Sequence, residues 1–187
     1  MSNIIFLFGP SCSGKSTLGK ALQMSLGTQW TYIDRDDLIE GGECTDLTAD
    51  AALDKRIQSI GKCVIVDAQI PWRAKRKNEL KFLILPPLKI ILERDAARTT
   101  LLNRPVKQAN YAKEYVIETH QQLSQLEKGD FDGCFDSSVV SVQSEIATIK
   151  SFLSPAPASR LELNYKLLAV VGLAFCIIYV ALSKVPS

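Results

Sequence analysis

Residues 9–17 read GPSCSGKST, directly after the apolar run Ile4–Phe8 and directly before a helical pattern in Leu18, Ala21, Leu22 and Leu26 that Gly27 ends. No other stretch limits the fold as tightly. A strand that is apolar at every position is buried on both faces, as a central strand of a parallel sheet is. Glycines at the turn let backbone N–H groups converge without a β-carbon in the way. The helix that follows adds the partial positive charge of its N-terminus. Strand, glycine turn and helix together build a cradle for an anion carrying several oxygens.

The turn contains Gly9-x-x-x-x-Gly14-Lys15-Ser16, the full P-loop pattern in the strand–turn–helix context the pattern needs. The backbone of Gly9, Pro10, Ser11, Cys12, Ser13 and Gly14 is expected to wrap the phosphates of a nucleotide, with Lys15, Ser16 and Thr17 opening the helix. Lys15 has the reach for the β- and γ-phosphates, and the Ser16 hydroxyl can ligate Mg²⁺. Cys12 is expected to contribute its backbone.

Downstream, strands and helices alternate. WTYID (30–34), CVIVD (63–67), KFLIL (81–85) and FDGCFDSS (131–138) read as strands. A stripe of Ala51, Ala52, Leu53, Ile57 and Ile60 predicts a helix that Gly61 stops. Pro86 and Pro87 suit the first turn of another, with Leu88, Ile91 and Leu92 on its apolar face. Residues 106–127 predict a long polar helix. Ser141 is placed to cap a last amphipathic one, with Ile146, Ile149 and Phe152 or Leu153 inward. This alternation predicts an α/β domain over residues 1–153, a P-loop NTPase three-layer αβα sandwich with a mainly parallel five-stranded sheet.

The formal net charge of +2 gives no basic excess of the kind nucleic-acid binders carry. The five cysteines form no CxxC pair and there is a single histidine, His120, which argues against zinc and for reduced, mostly buried thiols. MSNIIFLF lacks the basic start and cleavage site of a secretory signal. After the Pro/Ser/Ala stretch SPAPASR, taken with the residues up to 165 as a linker, Leu167–Leu182 is apolar on all sides and free of charge. That is the lower edge of a bilayer-spanning length at about 1.5 Å per residue. With Tyr165, Tyr179, Lys166 and Lys184 as interfacial anchors, residues 166–183 are expected to form a single-pass C-terminal transmembrane tail anchor, the domain lying on the cytosolic side.

Chemistry beyond nucleotide binding starts in YIDRDDLIEGG (32–42), which puts Asp34, Asp36 and Asp37 at the carboxyl end of the second strand. That edge faces the ligand crevice of an open parallel sheet. A carboxylate there can take the proton of a hydroxyl that attacks the γ-phosphate. It can also cap a helix, and spacing alone does not say which of the three does chemistry. Asp67, ending CVIVD, can hold Mg²⁺ through water or serve as a cap.

GPSCSGKSTLGKAL followed by YIDRDDL resembles the small P-loop kinases, among them gluconate kinase, chloramphenicol phosphotransferase, zeta-toxin kinases and a polynucleotide 5′-hydroxyl kinase. The resemblance spans about residues 3–153. It implies ATP and Mg²⁺ as cofactors and places the acceptor-side base on Asp36, with Arg35 near the acceptor or the phosphates. It implies that the helix carrying Arg94 and Arg98, or Arg104 beyond it, supplies a cation to the γ-phosphate, and that Ser137, in Asp136-Ser137-Ser138, lines the adenine pocket. The favoured activity is transfer of the γ-phosphate to a hydroxyl of a small molecule. One alternative is a membrane-tethered nucleotide switch, although the NKxD signature of regulatory GTPases is missing. Another is a polynucleotide 5′-hydroxyl kinase, for which WRAKRK (72–77), with Trp72 as a stacking platform, is the one dense basic run. Its competing reading is a solvated helix face.

Overall fold

The computed structural model describes residues 4–61 and 63–153. All five strands lie in the unit Met1–Ser151; the second unit, Phe152–Ser187, enters the description only with residues 152 and 153. The strands are β1 (Ile4–Phe8), β2 (Trp30–Asp34), β3 (Cys63–Ala68), β4 (Glu79–Ile84) and β5 (Gly133–Phe135). The helices are α1 (Lys15–Leu26), α2 (Arg35–Glu40), α3 (Ala49–Ile60), α4 (Leu88–Leu101), α5 (Val106–Ser124) and α6 (Val142–Leu153). The sheet runs β2-β3-β1-β4-β5 and every neighbouring pair is parallel.

Parallel neighbours need crossover connections, and the helices supply them. Side chains alternate across the sheet, so the two faces draw on different residues. Phe6, Phe8, Val64, Val66 and Leu83 pack with Leu53, Ile57 and Leu123 on one side. Ile5, Leu7, Ile65, Phe82 and Ile84 are equally buried and serve the other. Each such side chain contributes about 1.5–3 kcal/mol. Two buried faces are the three-layer arrangement that unbroken apolar strands imply.

Order and pairing place the chemistry. β1 is central, so its carboxyl end delivers Gly9–Ser16 to the middle of the sheet edge. β2 and β3 lie on one side of it and end side by side, with Asp34 the register partner of Asp67. β4 and β5 lie on the other side and lead into α4 and α6.

Several expectations are corrected. The last strand is confined to Gly133–Phe135; Asp136 turns the chain by accepting the Ser138 amide at 2.9 Å. α5 stops at Ser124 rather than 127. Residues 72–77 form no helix. Trp72 packs edge-on against Phe6 and Phe8, and Arg73 meets Glu79 at 2.6 Å and Asp54 at 3.1 Å. Lys75 pairs with Asp132. The apolar core draws Trp72 and Arg73 partly inward while residues 74–77 stay exposed, which a run of cations in the sequence does not reveal. The described cysteines are not mostly buried: Cys12, Cys44 and Cys63 are half-buried and Cys134 is exposed. On α6 the inward residues are Glu145 and Ile149, while Ile146 and Leu153 are half-buried and Phe152 is exposed. Among the described residues no helix is long and apolar enough to cross a membrane, and the expected span 166–183 lies outside them.

Candidate active site

A cleft of about 590 Å³ opens over the carboxyl edge of the sheet, lined by Gly14, Lys15, Ser16 and Thr17 in the centre. Asp34, Asp36, Asp37, Glu40 and Asp67 line it on the β2–β3 side; Arg94, Arg98, Ser137, Val140, Val142 and Glu145 line it on the β4–β5 side.

At its centre the turn has the backbone that the sequence calls for. Gly14 caps α1 at φ 105°, a conformation that L side chains rarely adopt. Cys12 takes φ 63° without being glycine, so its backbone is the strained part of the loop. Lys15 is only 7% exposed; its ammonium donates to the Pro10 carbonyl at 3.0 Å and lies 3.5 Å from Asp67. The Ser16 hydroxyl donates to Asp67 Oδ2 at 2.8 Å.

The acidic side sorts its carboxylates by role. Asp34 is the N-cap of α2 and accepts the Asp36 amide at 3.0 Å. Asp36, in the first turn of α2, is left facing the cleft. Asp36 stays exposed at the cleft, and partial desolvation and the neighbouring Asp34 push its carboxyl above its usual range, with Lys15 and Arg35 opposing. Asp67 is 3% exposed; burial raises its pKa against the pull of Lys15. Tyr32, which sequence reasoning missed, joins the two: its hydroxyl lies 2.9 Å from Asp67 Oδ2 and 3.2 Å from Asp34 Oδ2. Burial and the two carboxylates drive its own pKa far up, so it remains a neutral donor. The available signal was Gly19, a glycine in the middle of a helix, whose missing side chain makes room for the Tyr32 ring.

Arg35 is not among the residues that line the cleft. Its guanidinium ties down the segment before α3, at 2.9 Å from Asp46 and 3.1 Å from Asp50. The other arginines divide in the same way. Arg94 donates to the Ser13 carbonyl at 3.3 Å, to Ser137 Oγ at 2.9 Å and to the Ser137 carbonyl at 3.0 Å. Ser137 donates in turn to the Ser13 carbonyl at 2.6 Å, so α4 and the β5–α6 turn are bolted to the phosphate cradle. Arg104 lies 3.6 Å from Asp95. Arg98 lines the cleft and forms no ion pair with a described residue. Glu145 was also missed; it is 1% exposed and its Oε1 has no hydrogen-bond partner. Burial pushes its pKa up to about 7, with Arg94 opposing.

Ser16 and Asp67 suit a magnesium ion. Among the described residues no three His, Cys, Asp or Glu side chains form a metal cluster. Magnesium does not need one, because it keeps several waters and takes few protein ligands beside phosphate oxygens. A hydroxyl beside a buried carboxylate at the foot of the phosphate cradle is such a donor set.

Residues 2–68, which include the P-loop and Asp36, match the family model for chloramphenicol phosphotransferase-like protein. A comparison with curated protein sequences finds no significant match. Among solved structures, shikimate kinase from Acinetobacter baumannii in complex with shikimate superimposes with a TM-score of 0.54 at 14% identity, covering 82% of this chain and 93% of that one. Shikimate kinase from Bacteroides thetaiotaomicron superimposes with a TM-score of 0.53 at 16% identity, covering 80% and 97%. The resemblance to the small P-loop kinases therefore holds in sequence over residues 2–68 and in fold over the whole sheet.

Proposed function

We propose that the protein is an ATP- and Mg²⁺-dependent phosphotransferase that moves the γ-phosphate to a hydroxyl group of a small molecule. The observation that carries the reading is Asp36. Its carboxylate faces the same cleft as Lys15 and the α1 N-terminus, while its neighbour Asp34 is spent on capping α2.

In this reading the P-loop amides and Lys15 hold the phosphate chain, which enters from the β4–β5 side. Ser16, with Asp67 beside it, would hold a magnesium ion, which would supply charge neutralisation on the phosphates. Asp36 accepts the proton of the acceptor hydroxyl as its oxygen forms a bond to the γ-phosphorus and the bond to the β-phosphate oxygen breaks. The elevated pKa of Asp36 makes it a better base than a free carboxylate. Arg98 is the cation available to the γ-oxygens, because Arg94 is held to Ser13 and Ser137 and Arg104 to Asp95. Arg94 instead keeps the cradle in shape.

Against a polynucleotide acceptor stand the edge-on packing of Trp72 on Phe6 and the pairing of Arg73 and Lys75. The test is acceptor-dependent release of ADP by the full chain. Sugars, polyols, nucleosides, hydroxylated aromatic compounds and a 5′-hydroxyl oligonucleotide are offered in turn. The proposal expects turnover with a small hydroxyl compound and loss of it on removing Mg²⁺. Preference for the oligonucleotide overturns the acceptor class. ATP hydrolysis that no acceptor stimulates points to a nucleotide switch instead.

A further inference from the structure

Tyr32 has no part in the chemistry above, yet its hydroxyl sits between the register-paired carboxylates of Asp34 and Asp67. Packing alone does not ask for that hydroxyl. The ring fills the space that Gly19 leaves beside α1, where a β-carbon would lie 2.3 Å from it, and a phenylalanine ring would fill that space as well. A half-buried hydroxyl is costly unless it is bonded, and this one meets a carboxylate on either side.

The bonds form a chain. The Ser16 hydroxyl donates to Asp67 Oδ2 at 2.8 Å, and the Tyr32 hydroxyl reaches the same oxygen at 2.9 Å. Asp67 Oδ1 lies 3.5 Å from the Lys15 ammonium, so the carboxylate is held at both oxygens. Behind it, the Tyr32 hydroxyl lies 3.2 Å from Asp34 Oδ2, and Asp34 Oδ1 accepts the Asp36 amide at 3.0 Å. A hydroxyl carries one proton, and the shorter distance gives Asp67 the larger share of it. Ser16 is asked to ligate the metal as well, whereas Tyr32 has only the two carboxylates to serve. We propose that Tyr32 is a positioning residue of the magnesium site, its hydroxyl holding the Asp67 carboxylate in the orientation that serves the ion. The inference rests on the part given to Ser16 and Asp67 in the proposed function. Groups that orient a metal-side carboxylate are worth about 10–100-fold in metal affinity.

The experiment measures equilibrium binding of ATP to the full chain and to its Tyr32→Phe variant, once with Mg²⁺ and once with EDTA. No acceptor is present, so the outcome does not depend on phosphate transfer. Mg²⁺ is expected to tighten ATP binding to the unaltered protein. In Tyr32→Phe that tightening is expected to shrink about tenfold, with the affinity in EDTA within about twofold of the unaltered protein. A general loosening of the fold weakens both conditions alike, and that result overturns the inference. So does a tightening that Tyr32→Phe leaves unchanged. If Mg²⁺ does not tighten ATP binding to the unaltered protein, the magnesium site and the inference fall together while the nucleotide cradle stands. If ATP binds in neither condition, the nucleotide reading falls with them.

Discussion

At Gly19 a β-carbon would lie 2.3 Å from the Tyr32 ring, closer than any real contact. The absent side chain lets Tyr32 stand between α1 and the sheet and deliver its hydroxyl to Asp34 and Asp67. Gly19→Ala is therefore expected to destabilise the protein by about 1–3 kcal/mol, because the ring must move or leave its rotamer. Alanine favours a helix by about 1 kcal/mol, so a gain in stability is the opposite outcome, and urea denaturation distinguishes them. Glu145 gives a prediction of opposite sign. Its carboxyl is pushed up to about 7 in the folded protein, chiefly by burial. The folded state then holds a proton that the unfolded chain has released, and stability falls as pH rises from the ordinary carboxylate range through about 7. Glu145→Gln is expected to raise the thermal midpoint at about pH 8 and to change it little at about pH 4. An equal shift at both pH values contradicts the assignment. Neither Tyr32 nor Glu145 announces its role in the sequence. A tyrosine in a strand reads as packing, and a glutamate between Ser144 and Ile146 reads as a solvated helix face; only the approach of a second element distinguishes them. Asp34, Asp36 and Asp37 were legible as a group because three carboxylates at a strand end must face the crevice. That Asp34 is the one that caps α2 needed the helix.

Among the elements, the loop joining β3 to β4 departs furthest from its sequence. WRAKRK looks like a cationic surface, but Arg73 stacks over Phe6 with its centre 5.2 Å from the ring and forms two bonds to Glu79, at 2.8 and 2.6 Å. Burial alone would raise the Glu79 pKa; the Arg73 guanidinium and the Arg76 amide hold it below the ordinary value. Glu79 in turn begins β4, a strand buried along its whole length. Arg73→Ala leaves that carboxylate buried and unpaired, so it is expected to cost about 3–5 kcal/mol in denaturant titration. A loss below about 1 kcal/mol would show the pair to be a surface contact. β1, β3 and α1 were legible because continuous apolar runs and a glycine turn leave few alternatives. The short β5 was not: Phe131 is buried outside the strand and Phe135 within it, so hydrophobicity marks the core here without marking the ladder.

For the molecule as a whole, one sheet order sets the division of labour. Central β1 leads into the glycine turn, β2 and β3 bring the carboxylates, and the turn after β5 is bolted to that glycine turn by Arg94 and Ser137. The alternation of strand and helix made the fold class legible, and the glycine pattern made the cradle legible. Strand order, and hence which residues face each other across the cleft, follows from long-range pairing that no local stretch contains. The apolar segment at 166–183 lies outside the described residues; we propose it as a membrane tether, tested by whether its deletion releases the protein from membranes on fractionation. The central claim is that Asp36 is the base and the P-loop the holder. It is tested most directly by measuring ATP affinity and acceptor-dependent turnover together in Asp36→Asn. Affinity within about twofold of the unaltered protein and turnover lower by about 10²–10⁴ is the predicted result. Turnover retained at the unaltered rate would contradict it.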